Sequence, residues 1–293
     1  MQRREFIGGA AGLFAGAVAL GGCRGGACRA GSRGVPYTLG IAGYTYKAVK
    51  TDEMLARMER LGVKHLCVKN FHLPFDASDA QIREFAAKCR DHGVEPDAYG
   101  PIDVVSEGEA RARFEQAKKL GCRTIVGVPL RKGATPDWTH NVQDRAMCEL
   151  VDRLCGEYDV DFAIHNHGPD MPECYPTGAG ACEFVKDLSP RVGICLDIGH
   201  EVRGGADPVA TIRAWSSRIF DVHLKDIVFP APGNADVARV LGKGDLDLPA
   251  ILRALADVGY SRRCSLEYEA NFEDNVPDVA ACVGYYNALT RCL

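Results

Sequence analysis

From Pro36 onward, short runs of β-branched and other apolar residues alternate with longer segments whose apolar positions recur three and four residues apart. The clearest helical segment is SDAQIREFAAKCRDHG, residues 78 to 93. Ser78 and Gln81 have the spacing of a capping box, and Ile82, Phe85, Ala86 and Cys89 fall on one face. Four times a helical pattern ends on a glycine and an apolar run starts at once, at Gly62, Gly93, Gly121 and Gly259. Glycine suits the left-handed residue that closes a helix. The repetition predicts successive αβ units, with strands over 38–44, 64–71, 95–100, 124–128, 162–167, 193–198, 219–225 and 264–268. Eight strands with intervening helices predict an α/β fold, a closed (β/α)8 TIM barrel forming a single domain over residues 37–293. An open doubly wound sheet is the alternative, but no GxGxxG follows the first strand.

The first 36 residues do not share this rhythm. Residues 1–23, MQRREFIGGAAGLFAGAVALGGC, combine Arg3 and Arg4 with a run rich in Gly and Ala, then Leu20-Gly21-Gly22-Cys23. The paired arginines resemble a twin-arginine export signal and the last four residues a lipoprotein lipobox, with Cys23 as the lipidated residue. Residues 24–36 read as a linker. The expected location is the periplasm, or the membrane of a bacterium through a lipid anchor. Lys and Arg total 35 against 39 Asp and Glu, a net charge of -4 without a basic block, which argues against a nucleic-acid surface. A small-molecule partner is the expectation, and membrane contact only through the anchor. Thirteen cysteines contain no CxxC. Cys67, Cys89, Cys122, Cys195 and Cys264 sit in apolar patterns and read as small core residues, though a few pairs could form disulfides.

Catalytic residues of such barrels lie at the C-terminal ends of strands. Four predicted strand ends carry metal-ligand types: FAIHNHG, GICLDIGH, IFDVHLKD and CSLEYE. Period-two alternation puts Asp221, His223 and Lys225 on one face of the seventh strand and Glu267 with Ser265 and Glu269 on one face of the eighth. Asp197 shares a face with Cys195 on the sixth, and His200 follows in the turn. One side chain each from the fifth to eighth strands can therefore converge at the barrel mouth, where a divalent ion would take N and O ligands; for Asp197, His223 and Glu267 the competing explanation is a structural hydrogen-bond network at the barrel rim. Lys69, Asn70 and His72 end the second strand and could line a pocket. Trp138 reads as a packing residue, Asp226 as a turn group, and His65, His92 and His140 as solvated.

The ordered set LDIGH, HLKD, LGKGDLDLPAIL and GYSRRCSLEYE resembles the xylose-isomerase-like barrel family, which includes sugar phosphate isomerases/epimerases and inosose dehydratases. The resemblance implies one divalent ion (Mn, Co, Zn or Mg) held by Asp197, His223, Glu267 and a fifth-strand residue. It also implies substrate contacts from His200 and a loop at Gly242 and Gly244 that closes near the substrate. The fifth strand departs from the pattern: many relatives read Glu-Asn-His where this chain reads His165-Asn166-His167. His165 would then be an imidazole ligand favouring softer ions, and the loss of one carboxylate counts against two-base epimerisation. What remains suits one-sided enolisation of a keto-sugar, with Glu267 or His165 as base and Lys225 or His200 as donor to the developing oxyanion. His167 and Lys69 are expected to contact substrate. Either isomerisation or elimination from a 3-keto-glycoside could follow. The alternative is a non-catalytic sugar-binding lipoprotein. An apurinic-endonuclease-like activity, which shares the barrel, fits the acidic chain poorly.

Overall fold

The computed structural model describes residues 34–133, 140–228 and 237–293. The predicted export segment, Cys23, nearly all of the linker and Trp138 lie outside the described residues. Eight parallel strands close on one another: β1 (Thr38–Ala42), β2 (His65–Val68), β3 (Glu95–Val104), β4 (Thr124–Arg131), β6 (Asp161–His165), β7 (Val192–Asp197), β8 (Ile219–Leu224) and β11 (Arg263–Leu266). β1 pairs with both β2 and β11, and β3 with β4, so the sheet is a closed barrel. β5 (Val142–Gln143) adds antiparallel to β4, and β9 (Asp226–Val228) pairs with β10 (Val237–Arg239) as a hairpin beyond β8.

The helices are α1 (Thr51–Leu61), α2 (Asp79–Asp91), α3 (Glu107–Leu120), α4 (Arg145–Tyr158), α5 (Gly178–Val185), α6 (Ile198–Arg203), α7 (Pro208–Trp215), α8 (Leu248–Asp257) and α9 (Val276–Thr290). The capping box at Ser78 forms as the spacing predicts, a device that contributes about 1 kcal/mol. All four helix-ending glycines have positive φ, between 65° and 89°. The main core lies between strands and helices. A second, smaller cluster of Cys67, Ala98, Val126, Ala163, Cys195 and Phe220 packs separately, mostly small side chains on the inward faces of the strands. Ten of the described cysteines are buried thiols outside any disulfide, and Cys292 is exposed.

The strand boundaries depart from expectation in one way that matters. β3 runs to Val104 rather than stopping at Gly100, through a register shift between Tyr99 and Ile102. A Cβ on Gly100, at φ +142°, would lie 1.9 Å from Val126 O, so glycine permits the close passage past β4. The continuation carries Asp103 to the mouth of the barrel. His65 also differs: it starts β2, half-buried, with Nδ1 3.2 Å from Asp97 Oδ2, and is not solvated.

Candidate metal and substrate site

His165, Asp197, His223 and Glu267 converge at the C-terminal ends of β6, β7, β8 and β11, with one potential ligand atom from each lying within 4.8 Å of the others. Register explains the convergence. Asp197 pairs with His223 across β7 and β8, His223 with Ser265 across β8 and β11, and Glu267 follows directly after β11, its N–H donating to Leu224 O. Each ligand candidate is oriented by a second contact. Asp197 caps α6, its Oδ1 accepting from His200 N at 2.8 Å, while Oδ2 lies 3.5 Å from His165 Nε2 and 2.9 Å from Lys225 Nζ. His223 Nδ1 donates to Glu267 Oε2 at 3.0 Å. His165 Nε2 and His223 Nε2 are buried with no hydrogen-bond partner, and an orphaned buried nitrogen of this kind is expensive unless a ligand takes it.

Lys225 continues the inward face of β8 and is 4% exposed; its Nζ lies 2.9 Å from carboxylate oxygens of Asp197, Glu267 and Glu269. Burial would lower the Lys225 pKa, but these carboxylates hold it well above the ordinary lysine value. Burial would likewise raise Asp197 and Glu267. Lys225 chiefly holds Asp197 well below the carboxylate range, and His223 and Lys225 do the same for Glu267. For His223 burial acts downward, yet Glu267 keeps it above its usual value. For His165 burial outweighs the upward pull of Asp197 and Glu267 and brings it to about 4, so it is a neutral imidazole at neutral pH.

Above the cluster opens a cavity of about 290 Å³, walled by His165 and Glu267 at its floor and by Lys69, His167, His200 and Tyr44 around it. The His167 and His200 rings lie close together, centroids 3.8 Å apart and tilted by 33°. Burial is the chief cause of the lowered pKa of both histidines and of Lys69. Gly242 and Gly244, expected in a loop that closes near the substrate, are not among the residues lining this cavity. Their N–H groups, with that of Leu246, donate to the Asp226 carboxylate. Asp226 follows Lys225 directly, so the glycine loop is pinned to the end of β8. His72 also turns away, bonding Tyr46 O and Val49 O through Nε2.

Glu269, placed beside Glu267 by strand alternation, lines the cavity, and so do Asp103 and Asn141, which were missed as site residues. The strand-end rule would have found Asp103 had β3 been extended past Gly100. Asn166 faces away from its histidine neighbours, as alternation predicts, and bonds Asp197 through both backbone N–H and O. It also donates to Glu201, a buried carboxylate that accepts from Gly178 N and Thr211 Oγ1 and thereby ties β6, α5, α6 and α7 together. Burial raises the Glu201 pKa. Nothing in the sequence distinguished it from an exposed helical glutamate.

A closed parallel barrel with histidine and carboxylate side chains gathered at the C-terminal strand ends defines a class of α/β proteins that hold small ligands or metals at the barrel mouth. The chain belongs to the xylose isomerase-like TIM barrel family, whose model matches residues 53–283. It is similar to the rhizopine catabolism protein MocC of Rhizobium meliloti, 30% identical over 156 residues that span 49% of this chain and 47% of MocC. It is also similar to inosose isomerase of Bacillus subtilis, 30% identical over 178 residues, 58% of this chain and 62% of the relative. The matches thus span about half to under two thirds of these relatives. The crystal structure of the IolI protein with a bound zinc atom superposes with a TM-score of 0.69 at 22% identity, covering 87% of this chain and 97% of that one, and shows the shared fold.

Proposed function

We propose that the protein is a divalent-metal-dependent carbohydrate enzyme that enolises a keto-sugar by removing an α-proton, leading to isomerisation or to elimination from a 3-keto-glycoside. The observation that carries this is the convergence of two carboxylates with two orphaned imidazole nitrogens under a substrate-sized cavity. That donor set fits a borderline divalent ion such as Zn, Co or Mn. When bound, such an ion supplies Lewis acidity toward a carbonyl and its neighbouring hydroxyl. Similarity to isomerases and to an inosose dehydratase supports the reaction class.

Asp197 and His223 lie deepest and hold their positions through α6 and Glu267. His165 and Glu267 both reach the cavity, so proton removal falls to one of them. Glu267 takes both of its described bonds on Oε2, which leaves Oε1 to receive a proton. Lys225 keeps its proton under three carboxylates and therefore acts as a fixed positive charge. His167 and His200, neutral under burial, offer hydrogen bonds to substrate hydroxyls. The export signal expected in residues 1–23 extends the proposal to a periplasmic or lipid-anchored protein acting on unphosphorylated sugars.

The test is metal content together with proton exchange. Purified protein should carry an ion lost on Asp197→Asn or His223→Ala, and should exchange the C2 proton of methyl 3-keto-glucoside for deuterium. A protein that binds the ion but exchanges no proton and changes no keto-sugar would sink the enzyme reading. A second reading, a metal-free sugar-binding protein, is favoured by Lys225, which already compensates both carboxylates. Sugar affinity without stoichiometric metal would select it.

A further inference from the structure

The cavity of about 290 Å³ is at the lower limit of small-molecule sites and takes about one sugar ring. One wall of its mouth is aromatic. Tyr44 lines the cavity, and its ring lies 5.8 Å from that of Phe71 and 5.9 Å from that of Phe272. Phe71 is 44% exposed, and Phe75 is the only other large apolar side chain so exposed among the described residues. Phe75 is covered by the Arg113 guanidinium, 4.2 Å from its ring, and packs on Tyr99. Phe71 stays exposed beside Tyr44, just outside the cavity lining.

The three rings come from the exits of β1, β2 and β11, and those exits are stitched together. Thr45 Oγ1 donates to Leu266 O at 3.0 Å and accepts from Tyr268 N at 3.0 Å, while buried Asn275 donates to Thr45 O at 2.6 Å. Gly43 allows the close approach to β2, since a Cβ there would lie 2.9 Å from Cys67 O. Lys47 Nζ sits 3.7 Å from the Phe272 ring centroid and 4.7 Å from that of Tyr44, holding both rings from one side. The platform is therefore set before any ligand arrives, which limits the ordering cost of binding.

We propose that Tyr44, Phe71 and Phe272 form an outer subsite that stacks on a second ring joined to the sugar in the cavity, so that the ligand is a glycoside rather than a free monosaccharide. This rests on the carbohydrate reading above and deepens it. The shared chemistry is a ring with an apolar face carried on the glycosidic oxygen. An aromatic aglycone and a second sugar ring are its two sources.

Binding of unoxidised glycosides tests the subsite without any turnover. Titration calorimetry of the full protein with methyl β-glucoside, phenyl β-glucoside and cellobiose should show one of the two-ring ligands binding about threefold to tenfold tighter than the methyl glycoside. Preference for phenyl glucoside assigns an aromatic aglycone, and preference for cellobiose a second sugar. Phe71→Ala and Phe272→Leu, checked for an unchanged thermal midpoint, should abolish that preference while leaving methyl glucoside affinity within about twofold. Equal affinity for all three glycosides, or a preference that survives both variants, overturns the subsite. Failure of the enolisation reading has a separate signature: the two-ring preference persists, yet wild-type protein exchanges no C2 proton.

Discussion

Replacing Lys225 with Met tests the charge balance beneath the cavity. The side chain keeps its length and its apolar stem, so packing changes little, but the ammonium 2.9 Å from Asp197, Glu267 and Glu269 is lost. Asp197 is fully buried and Glu267 nearly so, whereas the Glu269 side chain is 35% exposed and water can take over there. Removing one partner of a buried pair costs about 3–5 kcal/mol because the remaining charge is left uncompensated. At about 2–4 °C per kcal/mol for a domain approaching this size, the thermal midpoint in EDTA should fall by about 10 °C. Saturating Mn or Zn should restore most of it, since a bound cation supplies the missing charge to the same carboxylates. A midpoint in EDTA within about 2 °C of wild type would refute the burial argument. An equal loss with and without metal would refute the claim that lysine and ion serve the same carboxylates.

The charge pattern also sets the pH dependence. Asp197 and Glu267 are held low, so their stabilisation is present above about pH 4 and is lost as the pH falls through the lowered values. His223 is held above the ordinary histidine value of about 6.5, so its contribution is complete below that pH and is lost as the pH rises through the folded-state value. Urea midpoints in EDTA should peak between these two limits, and a midpoint that climbs steadily into alkali would contradict the His223–Glu267 bond. Gly244→Ala places a Cβ 2.1 Å from Asp226 Oδ1 and must break the pinned loop; chemical denaturation should show a loss of about 2 kcal/mol or more. Burial pushes the interior thiols up and shields them. Thiol labelling of native protein, mapped by mass spectrometry over residues 34–133, 140–228 and 237–293, should therefore modify Cys292 alone until denaturant is added.

Much of the fold was legible because its signals are local. A capping box, four glycine-closed helices and period-two strands each report on a few adjacent residues, and the barrel follows from counting them. The convergence of Asp197, His223 and Glu267 was legible for the same reason, since strand alternation and the strand-end rule place them without knowledge of distant contacts, and the family resemblance singled out His165 beside them. What escaped depended on tertiary pairing. Gly100 reads as a strand terminator in sequence, but against Val126 it lets β3 pass and continue to Asp103. Glu201 reads as one more helical glutamate until Gly178, Thr211 and Asn166 close around it. Gly242 and Gly244 are bound up with Asp226, whose partners lie 16 and 18 residues away.

His165 gains its meaning from this charge balance. Asp197 and Glu267 face Lys225 and a His223 held toward its protonated form, so the cluster is close to electrically neutral before any ion arrives. A carboxylate at position 165 would add a third anion to that buried group. It could be tolerated only with a cation permanently in place, given what an unpaired buried charge costs. The neutral imidazole removes that requirement. It leaves two buried nitrogens without hydrogen-bond partners and keeps Glu267 as the one carboxylate of the cluster that reaches the cavity. On the enolising function proposed above, that asymmetry would place proton transfer on a single side of the substrate. It favours isomerisation or elimination over inversion by opposed bases.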